Sequence, residues 1–271
     1  MDVSALTTVD FSRLGPAQGQ RLAVVGGCGG IGRALVAMAQ DIGLKVAVLD
    51  LPSSLSNHPP SNECLSLALD ATDEGSVNKA FLQVQDAWDG LDVLVNLCGF
   101  ANAFTPVQES TSESWTDVID GNLHSAFLCA RAAVPLLQDS NAGTIINTAS
   151  GLAYKGMPGT SAYGAAKAGV IALSKSLAQE CAPDIRVNVI APGAVDTAFL
   201  RGGTSRGGTS RGGEQSDQPA NIDLDHYANI TPMKRLAVVE DVIGPILFLA
   251  GDASRFMTGQ VIHINGGGYM P

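Results

Sequence analysis

The chain has 271 residues, with 16 lysines and arginines against 26 aspartates and glutamates, which is a formal net charge of −10. This acidic balance argues against a broad basic surface for nucleic acid or anionic lipid, and no apolar run approaches the roughly 18 residues of a membrane helix. With 45% apolar and 15% charged residues, the composition indicates a folded chain with one sizeable core rather than a disordered one.

Seven short apolar runs alternate with five helical patterns along the chain. The runs lack the polar alternation of a strand with one face in water, and they cover residues 21–25, 45–49, 64–69, 91–97, 144–148, 185–190 and 260–264. Helices are predicted over residues 31–42, 73–88, 115–137, 161–181 and 239–250. Strands that alternate with helices indicate βαβ units, so we expect an α/β fold with a doubly wound parallel sheet of about seven strands.

We assign residues 21–271 to a single domain that follows an N-terminal extension, residues 1–20. The one irregular region is 199–231, where Arg-Gly-Gly-Thr-Ser occurs twice, from Arg201 and from Arg206. Five residues are too few for a solenoid unit, and glycine-rich segments favour mobile loops. Long loops inside compact domains are usually lids or disordered insertions, so we predict a flexible substrate lid at 199–231.

Five glycines lie between the first predicted strand and the first predicted helix, in the segment Gly26-Gly27-Cys28-Gly29-Gly30-Ile31-Gly32. Glycines permit a tight turn and let the backbone approach a pyrophosphate at the helix N-terminus. Three fingerprints fit at once, with glycines at 27, 29 and 32, at 26, 30 and 32, or at 26, 29 and 32. The segment therefore predicts a Rossmann-type dinucleotide site, while its spacing leaves the family open.

Asp50 ends the second predicted strand, 18 residues after Gly32 and near the interval of about 20 at which an acidic residue bonds the adenosine ribose. Its carboxylate would accept from the ribose hydroxyls and repel a 2′-phosphate. The next two residues, Leu51 and Pro52, supply no cation. The sequence thus favours NAD over NADP, although Arg33 could reach a 2′-phosphate.

Ser150, Tyr163 and Lys167 form the most specific pattern in the sequence. Tyr163 and Lys167 are four residues apart on a predicted helix, so they share a face. We expect the nearby ammonium to lower the tyrosine pKa from about 10 towards neutrality, which would make Tyr163 a proton donor and acceptor. Ser150 follows the strand 144–148 and so lies at a carboxyl end of the sheet, where α/β proteins bind ligands.

These motifs resemble the short-chain dehydrogenase/reductase family, over nearly all of residues 21–268. The family places its serine 13 residues before its tyrosine, as Ser150 and Tyr163 are here, and its glycine spacing selects Gly26, Gly30 and Gly32, with Ile31 between the last two. Further matching segments are Leu69-Asp70-Ala71-Thr72, Asn96-Leu97-Cys98-Gly99, Gly121-Asn122-Leu123, residues 186–193 and residues 259–267. Val25 replaces the family's usual threonine and Leu97-Cys98 its usual Asn-Ala, which puts the bracing of the turn in doubt but not the catalysis.

The resemblance implies an NAD-dependent hydride transfer to or from a secondary alcohol or ketone. Tyr163 would be the acid/base, Ser150 would bond the substrate oxygen, Lys167 would also hold the nicotinamide ribose, and Asn122 would anchor a proton-relaying water. The remaining cofactor contacts would be Asp70 and Ala71 beside the adenine, Asn96 and Gly99 at the adenosine ribose, and Pro192, Val195 and Thr197 at the nicotinamide. Two simpler roles stay open: Asn122 could satisfy buried backbone groups, and Asp70 could cap the next helix. A homotetramer, or a homodimer, is also implied, through helices like 115–137 and 161–181.

The substrate end of the site is predicted to be apolar, with walls that include Leu152, Met157, Phe199 and Leu200. Such walls suit a carbon skeleton, for example a 3-hydroxyacyl-type substrate, rather than a sugar. The lid arginines 201, 206 and 211 could grip an anion or be solvated in a flexible linker. Two other functions remain open, an NADP-dependent carbonyl or 3-oxoacyl reductase and a non-catalytic NAD-binding sensor.

The cysteines and histidines indicate neither a disulfide framework nor a metal site. The five cysteines are an odd, scattered set without a Cys-x-x-Cys pair, and the four histidines show no ligand spacing. Residues 1–20 contain no apolar signal-peptide core. We therefore expect reduced thiols, no bound metal and a cytoplasmic location.

Overall fold

A parallel sheet forms the centre of the fold in a computed structural model that describes residues 14–101, 104–138, 140, 143–201, 220 and 222–271. Within these residues the strands are β1 (Arg21–Val25), β2 (Lys45–Asp50), β3 (Leu65–Ala68), β4 (Val93–Asn96), β5 (Gly143–Thr148), β6 (Ile185–Pro192) and β7 (Val261–Ile264). Their order is β3-β2-β1-β4-β5-β6-β7, and all neighbouring pairs are parallel. The predicted fold class and all seven predicted strands are confirmed.

The central strands are largely apolar because both faces of the sheet are covered, whereas the edge strand β3 exposes Ser66 and Ala68. In β1, Ala23 and Val25 join one core cluster while Leu22 and Val24 join the other, and all four are at most 1% exposed. Successive side chains of a strand point to opposite faces, so a strand buried on both sides is mostly apolar. The few polar side chains within the strands, such as Asn147 and Asn188, are buried with the rest. This is the physical origin of the apolar runs.

Helices cover the two faces of the sheet. Their bounds are α1 (Gly30–Asp41), α2 (Pro52–Asn57), α3 (Glu74–Trp88), α4 (Ser112–Ile119), α5 (Ser125–Gln138), α6 (Ser161–Glu180), α7 (Leu224–Ile230) and α8 (Val239–Ala250). Helices α1 and α8 pack on one face, and α3, α5 and α6 on the other. Within the described residues, no helix is both long and apolar enough to cross a membrane.

Three helical features depart from the sequence-based expectations. The single helix predicted over 115–137 is α4 and α5 joined by a π-helical turn, Asp120–His124. Helix α2 was not predicted, since its six residues are too few for a periodic signal. The segment 199–231 was expected to be irregular throughout, yet it contains α7; its residues 202–219 and 221, with most of the Arg-Gly-Gly-Thr-Ser repeats, lie outside the described residues, as do residues 1–13.

The order of the strands places a crevice at their carboxyl ends. Strand β1 pairs with β2 on one side and with β4 on the other. The strands that follow β1 in the chain are therefore added first on one side of it and then on the other, so the loops after β1 and β4 lead away from each other. Open α/β sheets bind their ligands at such a switch point.

Candidate active site

A cavity of about 880 Å³ opens at the carboxyl ends of the strands. Most of the candidate site residues line it, namely Gly26, Gly30, Ile31, Gly32, Asp50, Asp70, Ala71, Gly99, Ser150, Tyr163, Lys167, Pro192, Val195 and Thr197. Two others, Asn96 and Asn122, are 3% and 1% exposed and lie behind the wall rather than on it. The structure thus brings the glycine turn and the Ser-Tyr-Lys residues together in one continuous space.

Steric contacts in the glycine turn decide among the three possible spacings. Gly26 has φ +80°, a conformation that favours glycine. A Cβ at Gly30 would lie 2.7 Å from Cγ2 of Thr197, and one at Gly32 would overlap the carbonyl oxygen of Gly26. At Gly29 the nearest atom would be 3.4 Å away, which is ordinary contact. The positions 26, 30 and 32 therefore have a geometric need for glycine.

The N-terminus of α1 faces the cavity without a capping side chain. Its N-cap residue is Gly29, and its first turn contains no acidic residue. The first three helical residues, Gly30 to Gly32, line the cavity. Free amide groups and the positive end of the helix dipole suit an anion, so this end of the cavity fits the pyrophosphate of a dinucleotide.

Asp50 borders the same end of the cavity, and its carboxylate is held by the backbone. One oxygen accepts from the N–H of Cys28 at 2.9 Å and the other from the N–H of Leu51 at 2.8 Å. A carboxylate has lone pairs for further donors. Arg33 and His58 also line the cavity, and Nη1 of Arg33 lies 2.7 Å from Nδ1 of His58. An acidic and a basic group therefore both border the predicted adenosine site.

The structure separates the roles expected for Asp70 and Asn96. Helix α3 is capped by Asp73, which accepts from the N–H of Ser76; the alternative that Asp70 is the cap is therefore wrong. Asp70 instead borders the cavity and accepts from the N–H and hydroxyl of Thr72. Asn96 does not face the cavity as expected, because its side-chain oxygen accepts from the N–H of Cys98, 3.1 Å away, and shapes the turn after β4.

The other end of the cavity holds Ser150, Tyr163 and Lys167. Tyr163 and Lys167 share a face of α6, with the ammonium 5.6 Å from the centre of the phenol ring. The ammonium donates to the carbonyl oxygen of Thr148 at 2.9 Å. Ser150 and Tyr163 are hydrogen-bonded to each other, and the ring of Phe199 lies 6.1 Å from that of Tyr163. A substrate oxygen at this point would meet two hydroxyl groups against an apolar wall.

The expected lowering of the tyrosine pKa is wrong. Burial raises the pKa of Tyr163 to about 12, and the hydrogen bond with Ser150 offsets this only in part. Burial also lowers the pKa of Lys167 to about 8, while the nearby thiol of Cys98 acts in the opposite direction. The physical reason is that both groups leave water, and desolvation disfavours the charged form of each. Tyr163 is therefore protonated at neutral pH.

Asn122 sits in the π-helical turn and supports the site from behind. Its amide nitrogen donates to the carbonyl oxygens of Phe100 and Val118, at 2.8 and 2.9 Å. Its amide oxygen is buried and has no hydrogen-bond partner among the described residues. A Cβ built on Gly99 would lie 2.5 Å from that oxygen and 3.0 Å from Nζ of Lys167. The side chain thus satisfies backbone groups, as the simpler interpretation held, and still keeps one acceptor beside Lys167.

Two tyrosines that the sequence did not single out also line the cavity. Tyr227 lies on α7 and Tyr269 in the C-terminal segment. The chain has only four tyrosines, and three of them, with Tyr163, border this one space. The scarcity of tyrosine was the one available signal, since neither residue belongs to a local motif.

Comparisons with known proteins agree with this geometry. A family model described as enoyl-(acyl carrier protein) reductase matches residues 26–269. The chain is 32% identical over 261 residues to the cis-4-hydroxycyclohexanecarboxylate dehydrogenase of Sinomonas cyclohexanicum, covering 94% of this chain and 98% of that protein. It is 31% identical over 259 residues to the 3-oxoacyl-(acyl-carrier-protein) reductase FabG of Escherichia coli K12, covering 93% and 98%. The solved structure of ElxO with NADP bound is similar at a TM-score of 0.80 and 28% identity, covering 92% and 98%.

Proposed function

Because the chain belongs to the short-chain dehydrogenase/reductase family of oxidoreductases, we propose that it transfers a hydride between NAD and a secondary alcohol or ketone. The family uses a nicotinamide cofactor, and the residues around the cavity fit one. The observation that carries the proposal is the convergence of Ser150, Tyr163 and Lys167 on the cavity that also contains the glycine turn. We assign the acid/base role to Tyr163.

The proposed mechanism follows from the positions of these side chains. The nicotinamide ring, when bound, supplies the hydride acceptor or donor. In reduction, the protonated phenol of Tyr163 donates its proton to the substrate oxygen, which Ser150 also bonds. In oxidation, the alcohol proton passes to the tyrosine in its deprotonated form. The ammonium of Lys167, held by Thr148, stabilises that form when it is charged, and the free oxygen of Asn122 lies beside the lysine as an acceptor for a water.

The preference for NAD rests on Asp50. Its carboxylate borders the cavity at the end of β2, so it can accept from ribose hydroxyls and repel a 2′-phosphate. The NADP-dependent reductase is a second candidate, and Arg33 favours it, because this side chain lines the same end of the cavity. Comparing kcat/KM for the two cofactors decides between them: a strong preference for NADP would contradict the role of Asp50.

The apolar walls support a substrate with a carbon skeleton rather than a sugar. Side chains that line the substrate end include Phe104, Leu152, Met157, Phe199, Leu200 and Ile230. The names of the two relatives describe a cyclic hydroxy acid and an oxoacyl thioester of a carrier protein. Each of these compounds carries a second oxygen function besides the reacting one. We propose a secondary alcohol of this kind as the substrate class, with 3-hydroxyacyl compounds included.

The test of the mechanism is Tyr163→Phe, with Tyr154→Phe as the matched control. Loss of the phenol hydroxyl is expected to lower kcat by roughly 10²- to 10⁴-fold, since this is the usual contribution of a general acid or base. Dissociation constants for the cofactor should stay within about threefold, because only the hydroxyl changes. Tyr154 lies outside the cavity lining, so its variant should keep full activity. Alcohol oxidation by Tyr163→Phe at the wild-type rate would refute the mechanism, and tight NAD binding by the wild type without turnover of any alcohol would favour the sensor.

Three further assignments belong to the proposal. We propose that residues 199–231 act as a substrate lid on a single domain, since Phe199, Leu200 and Ile230 line the cavity. We propose a homotetramer, or a homodimer, for which light scattering is the direct measurement; Trp115 and Phe127 on α4 and α5 are 41% and 39% exposed and suit a contact. A cytoplasmic location is proposed because all five cysteines are free thiols.

A further inference from the structure

The hydroxyl group of Tyr227 has a fixed position at the cavity, and it can still donate a hydrogen bond. Its oxygen accepts from the backbone N–H of Ala194 at 3.1 Å. Among the residues that the structure describes, it has no hydrogen-bond acceptor for its own proton. The ring lines the cavity that contains Tyr163. A hydroxyl that accepts from a fixed donor can still donate, because it has one proton and two lone pairs.

The surroundings hold the phenol in this place. Any Cβ at Gly193 would lie 2.7 Å from the hydroxyl oxygen, so the approach to Ala194 requires glycine there. The backbone of Tyr227 is equally fixed, since its N–H donates to Asp223 and its carbonyl oxygen accepts from both the N–H and the hydroxyl of Thr231. Thr231 is itself only 2% exposed. The donor is therefore preorganised, which limits the entropy lost when a ligand binds.

The position of this donor distinguishes it from the catalytic hydroxyls. Ser150 and Tyr163 lie after β5 and on α6, whereas Tyr227 reaches the cavity from α7. Its contact, Ala194, follows β6 and precedes Phe199, whose ring faces Tyr163. Ser150 and Tyr163 bond the reacting oxygen of the substrate. The hydroxyl of Tyr227 is then available to a different atom of the substrate.

We propose that Tyr227 is a specificity-determining residue that donates a hydrogen bond to a second oxygen of the substrate, a carboxylate or carbonyl remote from the reacting carbon. This rests on the proposed function and narrows its substrate class. In a largely apolar cavity, one placed donor selects strongly, because a ligand without the acceptor leaves the donor unpaired. The ring of Tyr269 lines the same cavity and adds apolar surface.

The experiment compares two alcohols that differ in the second oxygen, cis-4-hydroxycyclohexanecarboxylate and cyclohexanol, in wild type and Tyr227→Phe. We expect kcat/KM for the carboxylate to fall by about tenfold, in line with loss of one hydrogen bond to a charged group. For cyclohexanol, and for the KM of the cofactor, we expect changes below about twofold. Tyr154→Phe, which removes a hydroxyl outside the cavity lining, serves as the matched control. Thermal unfolding checks that the variants are folded.

Equal losses on both alcohols would show that the hydroxyl only supports the backbone at Ala194, and would overturn the proposal; so would no loss on either. A wild type that oxidises neither these alcohols nor a 3-hydroxyacyl thioester would contradict the proposed function instead. Titration calorimetry with cyclohexanecarboxylate, which has the second oxygen but no reacting hydroxyl, then tests the inference without turnover. Binding about tenfold weaker in Tyr227→Phe than in wild type supports it, and equal binding overturns it.

Discussion

Replacing Asp50 by asparagine tests the cofactor preference most directly. Each oxygen of the Asp50 carboxylate accepts one backbone N–H, from Cys28 and from Leu51. The asparagine has one acceptor oxygen, so one of these bonds is lost at a cost of about 1 kcal/mol. For a domain of this size, that loss lowers Tm by roughly 2–4 °C. The fold should survive the substitution, which keeps the effect on the cofactor measurable.

The effect on cofactor choice has two parts. Hydrogen bonds from ribose hydroxyls to a charged acceptor contribute roughly 1 kcal/mol more than those to a neutral amide. Removal of the negative charge also relieves repulsion of a 2′-phosphate by about 1–2 kcal/mol at a partly solvated site. Because 1.4 kcal/mol is a factor of ten, the ratio of kcat/KM for NAD to that for NADP should fall by roughly 30- to 140-fold.

Steady-state kinetics with both cofactors measures this ratio, and Asp41→Asn is the matched control. Asp41 is exposed at the last residue of α1, so its variant removes the same charge without touching the cavity. Its ratio should stay within about twofold of wild type. A ratio that Asp50→Asn leaves unchanged would refute the role assigned to the carboxylate.

Two further predictions concern one buried and one half-buried charged group, Lys167 and Asp92. Burial lowers the pKa of Lys167 to about 8, so the folded state releases this proton before the unfolded state does, and stability rises with pH between about 8 and 10.5. Lys167→Met keeps an apolar chain in place and has no charge to bury, so at pH 7 its free energy of unfolding should exceed that of the wild type. This difference should shrink by roughly 2–3 kcal/mol between pH 7 and pH 10.5. Urea titrations measure it at both pH values, and a difference that does not change with pH would contradict the prediction. Burial would raise the pKa of Asp92, but hydrogen bonds from Arg21 lower it overall. The ionised carboxylate therefore stabilises the folded protein above pH 3.8, and this stabilisation is lost as the pH falls. Asp92→Asn should lower stability by roughly 2–3 kcal/mol at pH 7, and thermal melts should show the difference shrinking below pH 3.8; a constant difference would argue against the ion pair.

Much of the fold could be predicted from the sequence because its signals are local. The apolar runs identify the seven strands, since a strand covered on both faces is mostly apolar. The order of strands and helices then implies a parallel sheet. Helix α7 escaped this reasoning because its seven residues follow a glycine-rich segment and contain too few turns for a periodic pattern. The π-helical turn escaped it as well, because it adds no feature to the sequence of a long helix.

The site was predictable where a local spacing imposes a contact. Tyr163 and Lys167 had to share a helical face, and Ser150 had to follow a strand. Asn96 shows the limit of this reasoning. Its place at the end of β4 follows from the sequence, but the direction of its side chain depends on the competing N–H of Cys98.

The fold class, the glycine-rich turn and the Ser150, Tyr163 and Lys167 constellation could be predicted from the sequence, because strand and helix periods and short spacings are properties of neighbouring residues. Other features depend on how the elements pack. The pKa of Tyr163 depends on how completely other elements exclude water from the phenol, which no neighbouring residue reveals. Tyr227 reaches Ala194, 33 residues earlier in the chain, only because glycine at 193 leaves room for its hydroxyl. Desolvation and long-range contact both require the packed molecule, and they are what give this cavity its chemistry.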